Sequence, residues 1–285
     1  MQNTYQNTSA SPPGQLPLKR ITICADDFGM ENSVDHGIAD LARRDRLSAV
    51  SCMTQGPSLR ANASLLDGLL VDLGLHLNFT EPFGKSEFHL PLSRLIVASY
   101  LRLLPKAKLA TEINRQLDSF ESCFKRPPDY IDGHQHIHQL PVIREILLAS
   151  IGQRYPQHPL WLRSTLPADD AARPYRLKTD IIARLGARKM AALAAIAGLP
   201  MNKHLLGVYD FSASREEYKA LLLHWFQAAE EDDVLMCHPA ITAEASVAFG
   251  QQRVWEHSVL ADPDFPNWLV SAGLSITQLS KRSTG

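Results

Sequence analysis

The sequence predicts a single (β/α) barrel, an α/β fold of parallel strands joined by crossover helices. Three observations carry that prediction. Short β-branched or apolar runs alternate with longer segments of helical period from Leu18 onward; about seven such runs can be counted; and no composition shift or internal repeat divides the 285 residues. An open doubly wound sheet is the other architecture with this alternation. Chain length suits either one large domain or two small ones, but α/β barrels reach this length as one unit.

The elements follow in order. Arg20–Ala25 reads as a first strand, and Val34–Arg44 as a helix with Val34, Ile38, Leu41 and Ala42 on one face. Ser48–Met53 gives a second strand and Leu73–Asn78 a third. Leu109, Ile113, Leu117, Phe120 and Phe124 form one stripe of a helix over Lys108–Phe124; Pro127-Pro128 stops it before a strand at Tyr130–Asp132. Pro141 fits the first turn of a helix over Val142–Ser150. A strand at Leu160–Arg163, one Ala-rich helix over Thr179–Ala197 and another over Glu216–Ala229 come next. Asp233–Cys237 reads as a late strand, followed by a helix around Ala261–Ala272 and a last strand at Leu274–Thr277.

Composition narrows the function. Hydrophobic residues make up 45 % and charged residues 21 %, which excludes disordered, collagen-like and coiled-coil classes. With 29 basic and 30 acidic residues the overall balance attracts neither nucleic acid nor an anionic membrane, leaving small molecules as the expected partner. The four cysteines are scattered singly, as in a reduced cytoplasmic protein. No run reaches the roughly 18 apolar residues of a membrane span. Residues Met1–Pro17 carry no apolar stretch and read as a disordered tail rather than a secretory signal, so the barrel is expected over residues 18–285.

Four polar clusters fall where strands are expected to end, and the C-terminal strand ends carry active sites in either architecture. Asp26-Asp27 closes the first strand; adjacent strand residues point to opposite faces, so both carboxylates reach one site only if the chain turns there, which Gly29 would permit. A helix-capping Asp beside a surface charge is the competing reading. His76 lies inside the apolar run Gly74–Asn78, where a hydrogen-bonded core histidine competes with a ligand. In Asp132-Gly-His-Gln-His-Ile-His138, imidazoles at alternate positions would share one face of an extended segment, and His134 and His136 could bind one ion together. His238 ends the late strand and suits a general acid or base, unless it is a buried histidine held by backbone groups. Arg163 could orient a carboxylate or bind a substrate oxygen, or form a structural ion pair. No dinucleotide fingerprint, P-loop, Gly-x-Ser-x-Gly or His-Glu-x-x-His motif is present.

Taken together and in order, Cys24-Ala-Asp-Asp-Phe-Gly29, Gly74-Leu-His-Leu-Asn78, Asp132-Gly-His-Gln-His-Ile-His138 and Met236-Cys-His-Pro-Ala240 resemble the YdjC-like carbohydrate deacetylases. The resemblance covers Ile21 to about Leu279. It implies a distorted (β/α) barrel of the NodB-like deacetylase type. It implies Asp27, His76 and His134 as ligands of one divalent metal ion, Asp26 as general base and His238 as the catalytic histidine. His136 and His138 then become candidates for supporting the ligands or touching substrate. The family is usually assigned Mg²⁺, whereas two imidazoles and one carboxylate suit Zn²⁺ or another transition ion. The expected reaction is hydrolysis of an N-acetylated sugar, from an oligosaccharide or a glycolipid, to acetate and a free amine. A protonated His238 would supply the amine's proton. Specificity is expected in the loops Thr80–Arg94 and Ser164–Arg176.

Two other classes compete: a second kind of metal hydrolase such as a phosphoesterase, and a non-catalytic sugar-binding barrel. Phosphoesterases commonly gather ligands for two or three ions, and a binding barrel has no use for a base such as Asp26. For assembly, a homodimer is the expectation, and Ala183, Ala187, Ala191 and Ala194 at helical spacing form a stripe that would admit another helix, or pack on its own barrel.

Overall fold

The computed structural model describes residues 17–83, 88–158, 160–169, 173–245 and 248–281, so all but the last residue of the expected N-terminal tail lies outside them. Eight parallel strands are described: β1 (Lys19–Phe28), β2 (Ala49–Cys52), β3 (Asp72–Leu77), β4 (Tyr130–Gly133), β5 (Trp161–Leu162), β6 (Leu205–Leu206), β7 (Val234–Cys237) and β8 (Leu274–Ile276). Their order is β5-β4-β3-β2-β1-β7-β6, with β8 pairing the start of β1. The sheet curls until its edges meet through a single bridge, Leu162 to Met201, and a bond from the Leu205 N–H to the Leu166 carbonyl. The result is a distorted (β/α) barrel. Among the described residues, ten α-helices surround it: α1 (Asn32–Arg43), α2 (Leu59–Asn62), α3 (Leu92–Tyr100), α4 (Lys106–Phe124), α5 (Ile143–Arg154), α6 (Arg176–Arg184), α7 (Ala187–Ile196), α8 (Arg215–Ala228), α9 (Gly250–Leu260) and α10 (Phe265–Ser271).

Strand alternation divides the interior in two. Ile21, Ile23, Val50, Leu75, Ile131 and Leu235 face the helices in the main core, each burial contributing about 1.5–3 kcal/mol. The intervening residues Cys24, Ala49, Tyr130, Trp161, Val234 and Met236 fill the barrel. Tyr130 stacks on Trp161 at 4.0 Å, and Gly74 leaves room for it, since a Cβ there would lie 2.3 Å from the Tyr130 ring. Carrying the same inward parity two residues further along each strand delivers Asp26, Ser51, His76, Asp132, Arg163 and His238 to one end of the barrel.

Several expectations change. The helix expected over Thr179–Ala197 is two helices, broken at Gly186 (φ 148°), where any Cβ would lie 2.2 Å from the Gln139 carbonyl oxygen. Ala187 and Ala194 are buried, so the alanine stripe is neither continuous nor a free surface. Helices α2, α3 and α9 and strand β6 are additional to the expected elements; α3 begins inside the segment Thr80–Arg94 expected as a loop, and α2 and β6 are four and two residues long. No helix among the described residues is long and apolar enough to cross a membrane, and all four cysteines are free thiols.

Candidate metal centre and active site

Asp27 would face outward by strand alternation. A register shift between Ala25 and Phe28, with Asp27 itself at φ 73°, turns its carboxylate inward beside Asp26. The change of direction therefore begins at Asp27 and continues through Gly29, which is at φ 97° in the turn the sequence suggests. Asp27 Oδ1 lies 3.4 Å from His76 Nε2 and 3.0 Å from His134 Nδ1, while Oδ2 accepts from Arg253 Nη2 at 2.6 Å. One ligand-type atom from each of Asp27, His76 and His134 lies within 4.8 Å of the others.

The other nitrogen of each imidazole is committed to a carboxylate. His76 Nδ1 lies 2.7 Å from Asp132 Oδ1, and His134 Nε2 lies 3.5 Å from Glu81 Oε1. Such outer carboxylates fix the tautomer and aim the ligating nitrogen. Without a cation the carboxylates also act on the rings. Burial opposes charge on His76, but Asp132 and Asp26 beside it raise its pKa to about 10; burial opposes charge on His134 too, yet Asp27 raises it. Burial likewise opposes ionisation of Asp27, while Arg253 and His134 hold it well below the usual carboxylate range. An excess of negative charge around two imidazoles and a carboxylate, all converging, fits a divalent cation.

Asp26 is held differently. The buried Arg163 guanidinium donates Nη1 to Asp26 Oδ2 at 2.6 Å and Nη2 to Oδ1 at 2.7 Å; Nη2 also lies 2.7 Å from Asp132 Oδ2. Burial opposes the Asp26 charge, but Arg163 outweighs it and keeps the carboxyl below its ordinary range. Cys24, Asp26 and Asp132 form the second convergence of ligand-type groups among the described residues, and the guanidinium occupies it, with Nη2 2.8 Å from Cys24 Sγ.

His238 Nε2 stands 4.0 Å from Asp26 Oδ2, and its ring meets Phe211 edge to face at 5.1 Å. Its backbone N–H donates to Glu256 of α9, which also accepts from Tyr209 Oη. Burial pushes the His238 pKa down to about 4, which favours the neutral ring before a proton is delivered to it. Burial pushes the Glu256 carboxyl up to about 7.

The histidine cluster differs from its expected shape. His134–Gln139 is a 3₁₀ turn with Gln135 and His136 left-handed (φ 53° and 60°), not an extended segment with one shared face. His136 does not join the converging set, and burial pushes its pKa down to about 3. His138 is fully buried with Nε2 3.0 Å from the Arg163 carbonyl oxygen, a contact to the strand end that carries Arg163. Sequence reasoning assigned no part to Asp132, Glu81, Arg253 or Glu256. Asp132 is the first residue of the cluster; Arg253 and Glu256 sit one turn apart on a helix that contains none of the motif residues.

Comparison with known proteins agrees with this architecture. A bacterial chitooligosaccharide deacetylase, from Yersinia pestis, is 24 % identical over 256 residues, spanning 86 % of this chain and 92 % of its own. Carbohydrate deacetylase of mouse is 28 % identical over 167 residues, so that the match spans about half the length of each protein. A solved Enterococcus faecalis protein, described as a candidate cellobiose-phosphate cleavage protein, shares the fold with a TM-score of 0.63 at 20 % identity, over 92 % of this chain and 97 % of its own. The family model of the YdjC-like proteins matches residues 20–271, and the chain belongs to that family.

Proposed function

We propose that the protein is a metal-dependent hydrolase that removes the N-acetyl group from an acetylated amino sugar and releases acetate. The convergence of Asp27, His76 and His134 beside an Asp26 clamped by Arg163 carries this reading. The names of the relatives, carbohydrate and chitooligosaccharide deacetylase, support the substrate class. Asp27, His76 and His134 would hold the ion, and the donor set favours Zn²⁺ or another transition ion over the Mg²⁺ that the resemblance implies. When bound there, a divalent cation supplies Lewis-acid polarisation of the acetyl carbonyl.

The chain's own groups move the protons. Asp26, kept ionised by Arg163, takes a proton from the attacking water as its oxygen bonds to the carbonyl carbon. His238 begins neutral; the proton on Asp26 crosses to His238 Nε2, which gives it to the amide nitrogen as the C–N bond breaks. The products are acetate and the amine. Glu256 and Phe211 position the His238 ring and backbone without touching the amide. The Arg163 guanidinium between Asp26 and Asp132 disfavours the phosphoesterase reading, because a second ion would need that space.

Acetate release from a panel of N-acetylated sugars, with and without added divalent metal, tests the proposal. Metal-stimulated release from at least one of them is expected. No release from any would return the choice to a phosphoesterase or a sugar-binding barrel.

A further inference from the structure

The near-zero net charge conceals a strong local asymmetry. Residues 92–110 carry four basic and no acidic side chains, and residues 173–197 carry six basic and one acidic, an excess of nine positive charges in a chain of net charge −1. The same two segments hold Val97, Tyr100, Leu101, Leu103, Leu177, Ile181 and Ile196, more than half of the large hydrophobic side chains left exposed among the described residues; Leu101, Leu103 and Leu177 are 63, 71 and 73 % exposed. Scattered exposed leucines need no explanation, but clustered ones mark a docking face.

The segments are neighbours in space. Tyr100 Oη donates to the Arg184 carbonyl at 3.3 Å, joining the end of α3 to the end of α6. Val97 and Leu101 lie one turn apart in a row that Arg94 begins, and Leu177 and Ile181 lie one turn apart in a row that Arg184 ends. Arg94, Arg102, Lys106, Lys108, Arg184, Arg188 and Lys189 are exposed and enter no ion pair among the described residues. Both helices are fastened to the chain leaving the candidate metal centre: Ser99 Oγ donates to the Pro141 carbonyl at 2.6 Å, and Gln139 Nε2 to that of Ile182 at 2.9 Å. The face therefore flanks the catalytic end of the barrel.

We propose that this face docks the protein peripherally on an anionic lipid bilayer. Apolar side chains bordered by unpaired cations suit the headgroup boundary of such a membrane, where the apolar rows enter the acyl edge and the cations meet lipid phosphates. A second copy of the same face would bring like charges together, which disfavours a symmetric dimer here.

Co-sedimentation of the full chain with vesicles tests this, comparing phosphatidylcholine alone with phosphatidylcholine containing phosphatidylglycerol. Binding is expected only to the second and should weaken as salt rises. Leu101→Asp with Leu177→Asp should abolish binding, and Arg102→Glu or Lys106→Glu should each weaken it about fivefold or more, the worth of one surface cation. Leu70→Asp, at a 72 % exposed site outside the face, is the control that should bind normally. All these positions are exposed, and unchanged thermal melts will show that the variants remain folded. Failure to bind the anionic vesicles at low salt would overturn the proposal, as would binding that the double variant retains. A dimer by light scattering that the double variant splits, with no vesicle binding, would assign the face to a second copy instead.

Discussion

Replacing Arg163 with Met removes the cation between two buried carboxylates while keeping much of the side chain's apolar bulk. Burial pushes the neighbouring Cys24 thiol up to about 12, so Cys24 stays neutral and the deficit falls on Asp26 and Asp132. Removing one partner of a buried pair costs about 3–5 kcal/mol, a fall in Tm on the order of 5–15 °C for a chain of this size. The two bonds from Arg163 to Asp26, 2.6 and 2.7 Å long, are charge-assisted and worth about 1.5–3 kcal/mol each; at about 1.36 kcal/mol per unit, Asp26 should titrate at least two units higher without them. The sign follows from the depressed pKa. In the native protein the pair stabilises above the unfolded Asp value of 3.8 and loses that contribution as pH falls through the lower folded value. In Arg163→Met the carboxylates are charged and unmatched at neutral pH and relieved in acid. The stability gap between the two proteins should therefore be widest at neutral pH and close below about pH 4. The acidic limb of kcat/KM should also move up. Melts and kinetics across pH on both proteins check this, with Arg163→Lys, which keeps the charge but cannot bridge, as a milder companion. A pH-independent gap together with an unmoved acidic limb would refute the role given to Arg163.

Other outcomes follow from the same geometry. Asp26→Asn should keep bound metal while turnover falls by about 10²–10⁴; near-normal turnover would remove Asp26 as the base. Alanine at Asp27, His76 or His134 should abolish tight metal binding with little change in fold, whereas His136→Ala should retain the ion, because its ring stands outside the converging set. Elemental analysis distinguishes these variants, and full occupancy in His134→Ala with loss in His136→Ala would reverse the assignment. His76 and His134 have raised pKa values in the metal-free site, so binding must displace protons. Metal affinity should therefore rise with pH across the neutral range, by up to about tenfold per unit for each proton released. A flat profile in a competition titration would contradict that.

Strand parity made much of the site legible. Every inward position at the strand ends, from Asp26 through His76, Asp132 and Arg163 to His238, follows from period-2 alternation once the strands are placed. Two kinds of feature escaped it. The first is backbone in the left-handed region at residues that rarely adopt it: Asp27, which rotates into the site, and Gln135 with His136, which rotate the second imidazole of the cluster away. A periodicity argument assumes regular dihedrals, and these positions depart from them. The second is partnership across long sequence separation. Arg253 reaches Asp27 and Glu256 reaches the His238 backbone from α9, a helix with Val259 and Leu260 in the core but with no motif residue of its own. Spacing along the chain shows ligands that sit on neighbouring strands; it does not show which distant helix closes over them. Those helix residues also restrain the site in a way the motif residues cannot. Arg253 fixes Oδ2 of Asp27 and leaves Oδ1 facing both imidazoles, and Glu256 holds the His238 backbone so that Nε2 faces Asp26. The separation of labour between adjacent carboxylates, one turned to the imidazoles and one clamped by a guanidinium, thus depends on two buried arginines from different elements, Arg163 at the end of β5 and Arg253 on α9.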